Sequence, residues 1–136
     1  MRRIVGLDVG ARRVGVALSD PLRIFARPLV TLPFTTPRRL VRDLEEIIRR
    51  EDVELVVIGC PAEGGGRESE PARLARAVCA LLEERSVACR LVDESYTSRE
   101  AEEVIHEHGK RRKAYRSKID QIAAALILKK YLDTLK

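Results

Sequence analysis

The period of the hydrophobic pattern changes once along this chain, near Pro37, and that change limits the folds open to it. Upstream, apolar residues come in short runs at 2–9, 12–19 and 23–32. Three strand signals in a row, joined by short turns, predict an antiparallel meander. Gly10-Ala11 marks a tight hairpin between the first two runs. Pro28 assigns the third to an edge or bulged position, because proline has no amide for the ladder. Downstream, Leu40, Val41, Leu44, Ile47 and Ile48 recur at helical spacing, with Thr36 as N-cap and Pro37 in the first turn. Residues 53–59 read as a strand buried on both faces. Ser69 caps a helix running to about Arg85, 87–93 is a further strand, and 97–108 and 117–135 are helices. Strand–helix alternation implies parallel strands with right-handed crossovers. The expected architecture is α/β: a five-stranded mixed sheet, an antiparallel three-strand meander plus two parallel strands, flanked by helices.

A chain of 136 residues fits one domain over 1–136 with a single sizeable core. With 45% hydrophobic and 35% charged residues it is globular rather than disordered. It carries neither a run long enough for a membrane span nor a signal-peptide core, so the expectation is a cytoplasmic protein with no membrane partner. Cys60, Cys79 and Cys89 are scattered, without a CxxC pair, and read as reduced, mostly buried thiols. Lys and Arg outnumber Asp and Glu by 26 to 21, an excess that favours a polyanionic partner. Aromatics at 4%, with no Trp, exclude a stacking platform for single strands.

Three acids stand where acids are costly. Asp8 ends the run Ile4-Val5-Gly6-Leu7, Glu94 follows Leu91-Val92-Asp93, and Asp120 opens an otherwise apolar helix. Acids at the edge of buried elements need compensation, and for carboxylates alone the usual cation is Mg2+ or Mn2+. If the first and last strands are central neighbours, Asp8 and Glu94 meet at the sheet edge where α/β folds bind ligands. Asp120 shares a helix face with Ala123, Ala124, Ile127 and Tyr131, which turns it toward the core. Each acid alone is better explained as a local helix cap or dipole partner. Together, in a basic chain, they suit phosphodiester chemistry, where two cations roughly 3.5–4 Å apart activate water and stabilise the leaving oxygen. Asp20 precedes Pro21 and reads as a turn initiator instead.

Lys110, Arg111, Arg112, Lys113, Arg116 and Lys118 form the densest basic run, expected as a loop over 109–116 leading into Asp120. They could neutralise phosphates or simply be solvated. Arg12 and Arg13 at the first hairpin could reach the same nucleic-acid backbone. His106 and His108 do not share a helix face, which argues against a metal role. Gly64-Gly65-Gly66 lacks the Lys-Ser/Thr of a phosphate loop and reads as a flexible lip.

Gly6-Leu7-Asp8-Val9-Gly10 followed by Arg13-Val14-Gly15-Val16-Ala17-Leu18-Ser19-Asp20-Pro21 resembles the N-terminal signature of the YqgF family, the Holliday-junction-resolvase-like proteins. Val56 to Pro61, Asp93-Glu94 and Lys118-Ile119-Asp120 with Ala123 to Leu128 are similar to its later motifs, in order along nearly the whole chain. The resemblance implies a ribonuclease H-like fold and a divalent-metal nuclease using Mg2+ or Mn2+. It implies maturation of the 5′ end of pre-16S ribosomal RNA or, by fold analogy, resolution of branched DNA. The family's acids carry over onto Asp8, Glu94 and Asp120, as catalytic residues and metal ligands. Ser95-Tyr96-Thr97-Ser98 departs from the family's Arg-Leu-Thr-Thr, removing an arginine near the site. Two other readings compete: a non-catalytic nucleic-acid-binding module of the same fold, and an actin-like phosphotransferase, which would need a second such domain. The expected partner is structured RNA or branched DNA, bound by a monomer or a homodimer.

Overall fold

A computed structural model describes residues 2–61, 69–93 and 112–136, with backbone alone for 112–115. Along the chain run β1 (Arg3–Val9), β2 (Arg13–Ser19), β3 (Ala26–Pro33), α1 (Pro37–Arg50), β4 (Val53–Cys60), α2 (Glu70–Glu84), β5 (Ala88–Asp93) and α3 (Arg112–Asp133). The strands form one sheet in the order β3-β2-β1-β4-β5. The first three pair antiparallel, while β1 with β4 and β4 with β5 pair parallel, as the pattern of periods requires. Pro28 sits on the edge strand β3 beside a register shift opposite Val16 and Ala17, so it interrupts no central ladder.

The sheet separates two unequal cores. On one face, Val5, Leu7, Val9, Val14, Val16, Leu18, Val56 and Ile58 pack against Leu40, Leu44 and Ile47 of α1 and Ala75, Val78 and Leu82 of α2. The other face is covered by α3, whose Ala124, Leu128 and Leu132 meet Ile4, Ala17 and Val57. Both α1 and α2 start as their sequences specify: the Thr36 hydroxyl accepts from the Arg39 amide and the Ser69 hydroxyl from the Ala72 amide.

Four expectations need correcting. The third strand starts at Ala26, not 23, because Oδ1 of Asp20 accepts the amides of Ile24 and Phe25 at 2.8 Å each. Asp20 is thus the turn former its position suggested. The last helix starts at Arg112 rather than 117 and ends at Asp133, so residues 112–116 are helix, not loop. No helix breaker lies between Lys110 and Ser117, and Arg, Lys and Ala are good helix formers. The last strand starts at Ala88, since the Val87 amide closes α2 on the Leu82 carbonyl. Finally, β5 is an edge strand separated from β1 by β4, so the first and last strands are not neighbours. The helix expected over 97–108, the glycine lip at 62–68 and Glu94 lie outside the described residues.

Candidate active site

Strand alternation decides which side chains meet α3. Ile4, Gly6 and Asp8 of β1 share one face, as do Arg13, Gly15 and Ala17 of β2. Asp8 stands directly across the ladder from Gly15, and Gly15 in turn from Thr31 of β3. The helix comes down on this row. A Cβ placed on Gly15 would lie 1.8 Å from the carbonyl oxygen of Asp120 and 3.0 Å from its Cα. One placed on Gly6 would lie 2.7 Å from Cβ of Leu128 and 2.9 Å from the carbonyl oxygen of Ala124. Two missing side chains therefore let the α3 backbone rest on the sheet and bring Asp120 over the neighbour of Asp8. Asp8 thus stands across the ladder from the residue on which the Asp120 backbone rests.

This position lies at the C-terminal ends of the parallel strands. The β1–β4 register runs to Leu7 opposite Ile58, and β4 then pairs with β5 through Gly59 with Val92 and Cys60 with Asp93. Gly59 puts no side chain between β1 and β5 at this level. Asp93 is the last described residue of β5, and Glu94 is joined to it directly.

Electrostatically, Asp120 is served by Arg13. Its Oδ2 accepts from Nε of Arg13 at 2.6 Å, with the acid 16% and the arginine 39% exposed. A short bond between two charged groups, largely out of solvent, is a strong one. Toward the β3 edge lies a second polar group that the sequence reading did not single out. The Thr31 hydroxyl donates to the Ser117 carbonyl at 2.9 Å and accepts from the Ser117 hydroxyl at 3.0 Å and from Nε2 of Gln121 at 3.1 Å. The only sequence signal was a lone Thr within Leu29-Val30-Thr31-Leu32 and polar residues four apart on the helix.

The basic candidates divide. Arg12 is exposed in the hairpin turn, and Arg116 and Lys118 are exposed on α3 just before Asp120. Arg13 is engaged with Asp120. Arg112 and Lys113 lie in the first turn of α3, and Lys110 and Arg111 lie outside the described residues. As for a metal, the donors offered by Asp8 and Asp120 are hard carboxylate oxygens, the chemistry that suits Mg2+ or Mn2+. Among the described residues no group of three His, Cys, Asp or Glu side chains could hold a metal ion; the third expected donor, Glu94, is not among them.

The family model described as RuvX, Holliday junction resolvase, matches residues 2–134. The chain belongs to that family. It is 41% identical over 136 residues to a protein of Lachnospira eligens named as a candidate pre-16S rRNA nuclease, covering 97% of each chain. A Chloroflexus aggregans protein of the same name is 37% identical over 131 residues, covering 96% of this chain and 92% of the relative. Among solved structures, this chain is similar to T. thermophilus RuvC in complex with a Holliday junction substrate, with a TM-score of 0.58 at 18% identity, covering 99% of this chain and 96% of that one. The yeast mitochondrial Holliday junction resolvase superposes with a TM-score of 0.53 at 11% identity, covering 96% of this chain and 78% of that one. These likenesses establish the ribonuclease H-like fold of the resolvases. No described helix is long and apolar enough to cross a membrane.

Proposed function

We propose that this chain is a divalent-metal-dependent nuclease of one domain over 1–136, hydrolysing phosphodiester bonds in the 5′-end maturation of pre-16S ribosomal RNA in the cytoplasm. The observation that carries the reading is that Asp8 stands across the ladder from Gly15 and the Asp120 backbone rests on that same glycine, in a member of this family. Asp8, Glu94 and Asp120 would hold Mg2+ or Mn2+, which supplies an activated water and charge stabilisation at the leaving oxygen. The chain's own work is to fix the acids. Asp8 is carried by a central strand and Asp120 by a helix seated on backbone, so neither can drift. Arg12, Arg116 and Lys118 offer cations to the flanking phosphates, joined in this proposal by Lys110, Arg111, Arg112 and Lys113.

The test is cleavage of a labelled pre-16S RNA and of a four-way DNA junction, with Mg2+ or Mn2+ against EDTA, wild type beside Asp8→Asn. Metal-dependent cutting of the RNA is expected, falling at least about a hundredfold in the variant. The family's description favours branched DNA as the second reading, and preferential cutting of the junction would support it. Binding of either without cutting would replace both with a non-catalytic module.

A further inference from the structure

The bond between Arg13 and Asp120 joins a strand to a helix across 107 residues of sequence and engages one of the acids of the proposed site. We propose that Arg13 is an internal counter-cation: its guanidinium holds the Asp120 carboxylate in the metal-free protein and gives it up when a divalent cation binds. This rests on the metal-dependent reading above. Three observations carry it. Asp120 is only 16% exposed, so its charge needs a partner, and Arg13 is the one cation bonded to it among the described residues. The pair is imposed by register rather than by chance contact: Arg13 is two residues from Gly15 on the same face, and the Asp120 backbone rests on Gly15. The second acid, Asp8, stands opposite that same Gly15, so a cation shared by Asp8 and Asp120 must come close to the guanidinium.

Two cations competing for one carboxylate repel each other, and a charge of +2 outcompetes +1 where two or more acids converge. Arg13 is 39% exposed, so its displaced head has solvent to enter and a substrate phosphate to meet. Arg13 is therefore a positioning residue in the metal-free state, and it becomes a phosphate contact only after the metal has bound. Metal before nucleic acid is then the productive order of loading.

The experiment follows the Arg13 Nε–H signal of the full chain by NMR, assigned through its own side-chain carbons, during titration with Mg2+. The metal-free protein is expected to show a protected, shifted signal that Mg2+ moves or broadens. In parallel, Mn2+ binding is read by EPR. Arg13→Gln is expected to bind Mn2+ about tenfold more tightly than wild type, and Arg13→Lys, which keeps the charge, about equally. An Arg13 signal that stays fixed while the amides of Asp8 and Asp120 respond to Mg2+ would overturn the exchange and leave the metal-dependent reading standing. Weaker Mn2+ binding by Arg13→Gln would overturn it too, making the arginine a plain clamp. No binding of either ion by wild type would overturn both. The wild-type titration needs no variant to fold.

Discussion

Gly15→Ala is the sharpest perturbation this fold offers. The added Cβ would lie 1.8 Å from the carbonyl oxygen of Asp120, and 2.2 Å from its carbonyl carbon. An ordinary carbon–oxygen contact is about 3.3–3.6 Å, so strand and helix must separate by roughly 1.5 Å. The obstacle is helix backbone, which has no rotamer to escape into. Overpacking of this kind costs about 1–3 kcal/mol, occasionally more, and the top of that range applies where backbone must move. For 136 residues the unfolding entropy is about 0.29 kcal/mol/K, so ~3 kcal/mol lowers Tm by about 10 °C. Because the displaced group is the backbone of Asp120, a shift above 1 Å should also cost cleavage about a hundredfold, even below the new Tm. Gly6→Ala is the control: its nearest contact, Cβ of Leu128 at 2.7 Å, needs a smaller shift and lies about two helical turns from Asp120, so ~1–2 kcal/mol and a mild loss of activity are expected. Thermal unfolding by circular dichroism, beside cleavage at 25 °C, reads both quantities. A Gly15→Ala protein as stable as wild type, or less affected than Gly6→Ala, would refute the claim that helix backbone on strand backbone sets the site.

Thr31→Val removes the hydroxyl shared by Ser117 and Gln121 and should cost about 1–2 kcal/mol in urea unfolding, through the polar groups left unpaired on α3. Burial pushes the thiols of both Cys79 and Cys89 above the ordinary value of 9.0. A raised folded-state pKa gives stability that is complete below pH 9 and lost as pH rises beyond it, so Tm should fall above about pH 9 in wild type and less steeply in Cys79→Ala/Cys89→Ala. Arg116→Glu should weaken nucleic-acid binding and reduce the slope of log K against log salt by about 0.7–0.9 if Arg116 meets a phosphate; an unchanged slope in a filter-binding titration would make it a bystander.

What the sequence disclosed and what it hid divide along one physical line. Periodicity is local, so the meander, α1, β4 and α2 could be read from the chain alone, with bounds moved by more than one residue only where a side chain took an amide, as Asp20 does with Ile24 and Phe25. Asp8 could be placed because a strand end is a local property. The position of β5 could not, because nothing local says that β4 lies between it and β1. The pairing of Arg13 with Asp120 and of Thr31 with Ser117 spans 107 and 86 residues, and depends on the line α3 takes across the sheet. That line is itself written in the sequence, though as an absence. Gly6 and Gly15 are the places where strand backbone can be met by helix backbone, and α3 crosses there. The same absences place Asp120 against the strand position opposite Asp8. Small residues bring the helix so low that Asp120 reaches Arg13 just past the contact, beside the strand position that faces Asp8. A larger residue at position 15 would enlarge the apolar core and take the acids apart. The glycines flanking Asp8 and Arg13 in the N-terminal segment are therefore as much a part of the proposed site as the acids themselves.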